Sequence, residues 1–181
     1  EPKNAMALLA LAEISARQGA PRADILRELN APVKVAPAEV NIRMAIIAHH
    51  LNGGETEQAL VAAQAAVAAH PDSFALLDQL AQCQIRAKQT NQALSTYGKI
   101  ASMDPKLPHA YIGMVDAHLA NNDLDAAQRA VNKLLEIAPD LPAGVGRAAL
   151  IALRKNQLPA ALTLARQLQA KPETAREGLT M

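Results

Sequence analysis

Residues 122–144 read NDLDAAQRAVNKLLEIAPDLPAG, and the spacing of two residues in this segment decides the fold. Ala127 and Pro139 both recur at intervals of 34 residues along the chain. The alanines of the series are Ala59, Ala93, Ala127 and Ala161, and the prolines are Pro37, Pro71, Pro105 and Pro139. A fixed period of about 20–50 residues is the signature of stacked supersecondary units. Because two residue types share one period, we interpret the chain as an array of repeats.

Each period carries the pattern of two amphipathic helices joined by a short turn. In residues 74–107, Ser73 can cap a first helix that extends to about Ala87, and Pro105 follows the end of a second helix. The apolar stripe predicted for that first helix comprises Phe74, Leu77, Leu80, Ala81 and Ile85. The sequence therefore predicts helix–turn–helix units.

We predict a degenerate repeat at residues 5–36 and four regular repeats at residues 40–73, 74–107, 108–141 and 142–174. In the degenerate repeat, the second helix is expected to be short, from about Arg22 to Leu29, with residues 33–35 as a connector. Residues 175–181 are predicted to begin a further helix that is cut short. Because the chain also lacks an initiator methionine, a signal sequence and an amino-terminal lipid-attachment cysteine, we expect it to be a fragment of a longer array.

The composition favours helices and excludes several classes of function. The 181 residues include 40 Ala but only two Tyr, one Phe and no Trp. A β-rich domain or an α/β enzyme normally uses bulky β-branched and aromatic core residues, whereas Ala and Leu suit closely packed helices. The net charge of +1 offers no electrostatic surface for nucleic acid or an anionic membrane. No apolar run approaches the ~20 residues needed to span a bilayer.

A candidate partner-binding surface follows from the repeat geometry. In stacked helix pairs the first helices line one concave face, and positions 2, 5, 6, 9 and 13 of each first helix share that face. From these positions we predict partner-binding residues Asn41, Met44, Asp78, Gln79, Gln82, Arg86, His109, Asp116 and Arg147. Such a mixture of amides, acids and bases can hydrogen-bond an extended peptide or receive a partner helix. The alternative is an ordinary solvated inner face.

The histidines and the single cysteine show no arrangement that is typical of catalysis or metal binding. His49 and His50 are adjacent, so they point about 100° apart on a helix. His109 and His118 are nine positions apart, and no pair has the spacing of three or four residues found in helical zinc sites. Cys83 is predicted to be a small buried hydrophobe. We therefore expect no enzymatic activity, no metal ion and no cofactor.

The 34-residue helix–turn–helix period resembles the tetratricopeptide repeat. For units that begin at Val40, Phe74, Pro108 and Pro142, position 20 is alanine in every case. The aromatic positions depart from the family pattern, because position 11 holds His50, Gln84, His118 and Ala152, and position 24 is aromatic only at Tyr97. His50 and His118 are expected to take the tyrosine's place in packing between paired helices. The resemblance implies a right-handed α–α superhelix of about five repeats that acts as a protein-interaction scaffold.

Co-chaperones of this family bind a terminal carboxylate through a set of Lys, Asn and Arg residues. The corresponding positions here are Asp78, Gln82, Gly113, Ala143 and Arg147. Only Arg147 matches that set, so the sequence argues against binding of a chaperone tail.

Three segments show a narrower resemblance to the long tetratricopeptide lipoproteins of the bacterial PEP-CTERM/exosortase system. They are residues 7–20 (ALLALAEISARQGA), 59–72 (ALVAAQAAVAAHPD) and 122–144. That resemblance implies a lipoprotein-anchored parent on the periplasmic side of the bacterial cell envelope, and a scaffold role linked to exopolysaccharide export or protein sorting. Repeat proteins of cellulose-export or pilus-assembly systems look similar.

A second hypothesis is a structural spacer or a self-association module within a longer array. The degenerate first repeat and the incomplete helix after Glu173 would both leave apolar end surfaces uncapped.

Overall fold

The computed structural model describes residues 2–36 and 39–170 of the chain. Within these residues every regular element is an α-helix, and ten helices follow one another without a strand. They are α1 (Pro2–Arg17), α2 (Arg22–Val35), α3 (Val40–Asn52), α4 (Thr56–Ala69), α5 (Phe74–Arg86), α6 (Thr90–Met103), α7 (Pro108–Ala120), α8 (Leu124–Ile137), α9 (Pro142–Arg154) and α10 (Leu158–Gln169). The expected all-α fold is confirmed. The further helix predicted at residues 175–181 lies outside the described residues.

The helices follow the 34-residue period closely. The odd-numbered helices α3, α5, α7 and α9 begin at residues 40, 74, 108 and 142. The turn inside each of the last four pairs contains one residue with positive φ: Gly54 (72°), Lys88 (60°), Asn122 (56°) and Asn156 (58°). A left-handed residue just beyond a helix is a common way to end it. The repeat therefore extends to the backbone conformation of the turns.

Two predicted features of the third pair can be compared with the structure. The Ser73 hydroxyl accepts a hydrogen bond from the Leu76 amide at 3.5 Å, so the predicted cap is present. Leu77, Leu80 and Ala81 are buried as predicted. The prediction for Phe74 was wrong, because its side chain is 42% exposed. Phe74 is the first residue of α5 and precedes the turns of the helix that pack against their neighbours.

Helix α2 is longer than the sequence predicted. It continues past Leu29 through Pro32 to Val35, so residues 33–35 are helical and do not form a connector. Proline removes one hydrogen bond from a helix interior and usually interrupts it. Here the Pro32 ring is fully buried, and its carbonyl accepts a hydrogen bond from the Ala36 amide at 2.9 Å. The burial of the ring offsets the lost hydrogen bond.

The chain divides into two compact units, residues 1–89 and residues 90–181. In the first unit, α5 packs on α3 and α4 through a cluster that includes Leu76, Leu80 and Cys83 on α5, Ile47 on α3, and Ala59, Leu60, Ala63 and Ala66 on α4. In the second unit, α9 packs on α7 and α8 through Val115, Ala127, Val131, Leu134, Ala148 and Ile151. Each unit is thus held by the same packing of an odd-numbered helix against the preceding pair.

A glycine allows close contact between two helices of the second unit. The Tyr97 side chain of α6 is 2% exposed and lies against Gly113 of α7. A β-carbon at Gly113 would overlap the tyrosine ring. Glycine is therefore needed where these two helices meet.

Among the described helices, none is both long enough and apolar enough to cross a bilayer.

Candidate functional site

Three of the predicted binding residues meet in a groove of the first unit. We call it the N-terminal groove, and its volume is about 480 Å³. Its lining consists of Met6, Leu9, Glu13, Asn41, Met44, Ala45, Ala48 and Gln79, from helices α1, α3 and α5. Asn41, Met44 and Gln79 belong to the predicted set.

The α1 residues of the N-terminal groove were missed because the predicted binding positions came only from the four regular repeats. The left-handed glycine that ends the first pair's turn is Gly19, which lies 35 residues before Gly54. A shift of 35 residues places Met6, Leu9 and Glu13 at the helix positions of Asn41, Met44 and Ala48. The turn glycine was therefore the signal that could have identified them.

The N-terminal groove combines adaptable apolar side chains with unpaired polar groups. Leu9 is buried, and the flexible thioethers of Met6 and Met44 line the same groove. Methionine side chains can adjust to irregular apolar partners. Within the described residues, the amides of Asn41 and Gln79 make no hydrogen bond to another protein group. Each amide can donate to a carbonyl and accept from an N–H group of a bound backbone.

The other predicted residues of α5 and α7 do not line the N-terminal groove. The Gln82 amide donates to the Asp78 carboxylate at 2.6 Å, so these neighbouring side chains partly satisfy each other. Arg86 is exposed in the last turn of α5. His109 is exposed at the second residue of α7.

The last two predicted residues are paired with each other in the second unit. Arg147 on α9 donates to both carboxylate oxygens of Asp116 on α7, from Nε at 2.7 Å and from a terminal nitrogen at 2.6 Å. Another terminal nitrogen donates to the Ala143 carbonyl at 3.1 Å. Two parallel hydrogen bonds between arginine and a carboxylate fix the relative position of the groups. The pair therefore joins α7 to α9.

The ion pair stands at one side of a second, larger surface. We call it the C-terminal groove, and its volume is about 900 Å³. It is lined by Asp116, Ala143, Gly146, Arg147, Ala149, Leu150, Leu153, Leu158, Ala161, Leu162, Ala165 and Leu168, from α7, α9 and α10. Leu153, Leu158 and Leu162 are 57%, 57% and 53% exposed. The surface is thus almost entirely apolar and open.

A polar cluster joins the helices of the first unit at the turn between α3 and α4. Glu55 accepts from Arg22 of α2 at 3.0 Å, and its other oxygen lies 2.6 Å from Nδ1 of the buried His50. Arg22 also donates to the carbonyl of His49 at 2.9 Å. Hydrogen bonds from His50 and Arg22 hold the pKa of Glu55 below its usual value. Burial, assisted by the charge of Arg22, lowers the pKa of His49.

The structure assigns structural roles to His50 and Cys83. His50 is 8% exposed and its ring contacts the Glu55 carboxylate, whereas His118, for which the same packing role was predicted, is only half-buried. Cys83 is fully buried beside apolar side chains, and that burial raises the pKa of its thiol. A buried thiol with a raised pKa is a poor nucleophile. Across the described ranges, no three His, Cys, Asp or Glu side chains are grouped as they would be to hold a metal ion.

Part of the chain is similar to a known repeat family. Residues 85–145 match the model of the tetratricopeptide repeat family. Over 79 residues the chain is 32% identical to the tetratricopeptide repeat and J domain-containing co-chaperone DNJ1 of Fusarium oxysporum. That match covers 44% of this chain and only 15% of the co-chaperone.

Solved structures share the fold over nearly the whole chain. A tetratricopeptide repeat protein from Parabacteroides merdae has a TM-score of 0.78 and 19% identity, over 94% of this chain and 66% of that one. MamA from Desulfovibrio magneticus has a TM-score of 0.69 and 17% identity, over 96% of both chains. The Thermus thermophilus tetratricopeptide repeat protein TTC0263 has a TM-score of 0.71 and 17% identity, over 95% of this chain and 94% of that one. At these identities the likeness concerns the fold alone.

Proposed function

Because residues 85–145 match the tetratricopeptide repeat family, we propose that the chain is a non-catalytic scaffold that binds a segment of a partner protein in the N-terminal groove. The observation that carries this proposal is the pair of amides, Asn41 and Gln79, which have no hydrogen-bond partner among the described residues and line the groove with Met6 and Met44. The amide groups can bind the backbone of a partner segment, and the apolar surface can bind one of its apolar side chains.

The lining also defines the chemistry of the bound segment. Among the described residues that line the N-terminal groove, Glu13 is the one with a charged side chain. A segment with a bulky apolar residue for the methionines and a Lys or Arg near Glu13 matches this lining in shape and charge. The partner expected here is therefore a basic, apolar segment, which differs from the acidic tails that a carboxylate clamp binds.

The proposed cellular setting rests on the amino-acid sequence of three repeat segments. The resemblance of residues 7–20, 59–72 and 122–144 to PEP-CTERM-system lipoproteins supports a role in the bacterial cell envelope, in exopolysaccharide export or protein sorting. A repeat subunit of a cellulose-export or pilus-assembly system is the alternative setting.

The test is affinity capture with the 181-residue chain as bait on a bacterial envelope extract, followed by mass spectrometry. Asn41→Ala combined with Gln79→Ala should remove the captured partner, because a bound backbone would lose two amide contacts, at a cost of about 1–3 kcal/mol. Gln64→Ala with Asn91→Ala is the matched control, since both amides are exposed outside the groove.

The melting temperatures of the two double variants should be the same, which would show that both are folded. Equal capture by the groove variant and the control would contradict the proposal.

A further inference from the structure

The arginine at the start of α2 binds to the turn between α3 and α4. The Arg22 guanidinium donates to the Glu55 carboxylate at 3.0 Å and to the His49 carbonyl at 2.9 Å. It also lies directly against Gly53, where a β-carbon would overlap it. We call these contacts of Arg22 with His49, Gly53 and Glu55 the Arg22 latch.

The Arg22 latch accounts for the glycine at residue 53, which the backbone conformation does not require. Gly53 has a φ of −87°, and the residues that follow α5 and α7, Ala87 and Asn121, have φ values of −78° and −84°. Residues with side chains therefore adopt the same conformation in the next two repeats. The absence of a side chain at Gly53 leaves the space that the guanidinium occupies.

The Arg22 latch joins the first helix pair to the second pair. The apolar contact between the pairs is a cluster to which α3 contributes Ile42 as its buried residue, with Ala45 and Ile46 partly buried. The other buried members of that cluster belong to α1 and α2, and they are Leu9, Ala12, Ile25 and Leu29. Because α1 packs on α2 in this way, the position of α1 depends on how firmly α2 is held.

We propose that the Arg22 latch is acid-sensitive, so that it holds the first helix pair against the second at neutral pH and opens as the pH falls. On opening, α1 moves away from α3, and the N-terminal groove loses the part of its lining that α1 provides, which is Met6, Leu9 and Glu13. A partner bound in the groove is therefore released in acid. This regulation of the groove rests on the function proposed above, whereas the opening of the latch does not.

His49 makes the latch sensitive to mild acid. The groups that act on its ring are Arg22 from α2, His50 from α3 and Glu55 from the turn. Burial, and then the charge of Arg22, lowers the pKa of His49 below the ordinary 6.5. Opening removes the arginine and part of the burial, so the open form binds a proton more readily than the closed form. The closed form is therefore favoured most above pH 6.5 and loses stability as the pH falls through the lower pKa.

Glu55 acts in the same direction at lower pH. Hydrogen bonds from His50 and Arg22 lower the pKa of Glu55 below the ordinary 4.5, and protonation removes the charge to which Arg22 binds. The contact with His50 lies within the second pair and remains when the latch opens. Because the side chains of Arg22 and Glu55 are 43% and 37% exposed, water and salt screen the pair. We therefore expect a change of about threefold in the opening equilibrium.

The test is hydrogen exchange of the 181-residue chain, measured by mass spectrometry at about pH 7 and about pH 5.5. The rates are corrected for the effect of pH on exchange in unstructured peptides. The amides of α1 and α2 should then exchange about threefold faster at the lower pH. The amides of α5, in the same unit, should show no such change.

Two variants open the latch at neutral pH, and a third prevents its response to acid. Gly53→Ala displaces the guanidinium but keeps every charge, so α1 and α2 should exchange about threefold faster already at about pH 7. Arg22→Gln should do the same. His49→Gln removes the titrating ring and keeps the backbone carbonyl, so α1 and α2 should stay protected at about pH 5.5.

Arg27→Gln is the matched control for Arg22→Gln. Arg27 is an exposed arginine on the same helix, and it pairs with Asp24 one turn away. Its replacement should leave the exchange of α1 and α2 as in the wild type at both pH values.

Several results would overturn the proposal. They are equal exchange of α1 and α2 at the two pH values, unchanged exchange in Gly53→Ala, and a response to acid in His49→Gln as large as that of the wild type. An acceleration of α5 equal to that of α1 and α2 would also overturn it, since the whole unit would then be unfolding.

Affinity capture from the envelope extract at the same two pH values separates the latch from the proposed function. Capture should weaken at about pH 5.5 and in Gly53→Ala. Acid opening of α1 and α2 together with capture that does not depend on Asn41 and Gln79 would support the latch and contradict the proposed function. Capture that depends on these amides but not on pH would support the proposed function and contradict the regulation.

Discussion

At the scale of single residues, the contact between Tyr97 and Gly113 depends on the absence of one carbon atom. Gly113→Ala should destabilise the protein by about 1–3 kcal/mol, because the added methyl group overlaps a ring that is only 2% exposed. Chemical unfolding with urea measures the change.

Gly98→Ala is the matched control, since Gly98 lies within α6 and a β-carbon there meets nothing within 4 Å. That change should stabilise the protein by about 0.5–1 kcal/mol through the helix propensity of alanine. Equal changes in the free energy of unfolding for the two substitutions would show that the close contact between Tyr97 and Gly113 does not affect stability.

Glu55 predicts a dependence of stability on pH in the first unit. Its pKa in the folded chain lies below the ordinary 4.5, so the unfolded chain binds a proton more readily than the folded one. The stability that this carboxylate contributes is therefore fully present above pH 4.5 and is lost as the pH falls through the lower folded value. Glu55→Gln should be less stable than the wild type at about pH 6, and the difference should shrink toward about pH 3.

Urea unfolding at several pH values measures this effect. The matched control is Glu57→Gln, which changes an exposed carboxylate in the first turn of α4, two residues after Glu55. A gap between Glu55→Gln and the wild type that stays constant with pH would contradict the assigned ionic contacts.

At the scale of elements, the turns within the helix pairs determine how each first helix ends. Lys88 occupies the left-handed conformation that Gly54 and Asn122 adopt in neighbouring repeats. That conformation costs roughly 1–2 kcal/mol for a residue with a β-carbon, and glycine avoids the cost. Lys88→Gly should therefore stabilise the protein, by about 0.5–1 kcal/mol after the entropy of the unfolded chain is included.

Differential scanning calorimetry measures this change as a rise in the melting temperature. Asn122→Gly should give a smaller rise, because asparagine tolerates the left-handed region better than lysine does. A lower melting temperature for Lys88→Gly would mean that the lysine side chain makes contacts that outweigh the backbone strain.

The helices were predictable wherever local signals determine them. The alanine and proline period located the starts of α3, α5, α7 and α9, since each start depends on residues within one turn of the helix. The end of α2 was not predictable in this way. Burial of the Pro32 ring depends on residues distant in sequence, and a local rule for proline does not include them.

At the scale of the whole molecule, the repeat determines which surfaces are covered. Each packed helix pair in a repeat array contacts its neighbours, so stability is the sum of similar local terms and the end surfaces differ from the interior. The N-terminal groove was predicted in part, through Asn41, Met44 and Gln79. Its α1 residues were missed because they belong to the degenerate first repeat, whose register Gly19 confirms. The pairing of Asp116 with Arg147 required the relative position of α7 and α9, which a single helix pattern does not contain.

The buried cysteine makes local opening of the first unit measurable by thiol labelling. Cys83 is the chain's only thiol, and it is enclosed where α5 packs on α3 and α4. A thiol reagent can reach this sulfur only when that packing opens. The rate at which Cys83 is labelled under native conditions therefore measures this local opening. An experimenter can therefore follow the motion of the first unit in the wild-type chain without adding a probe.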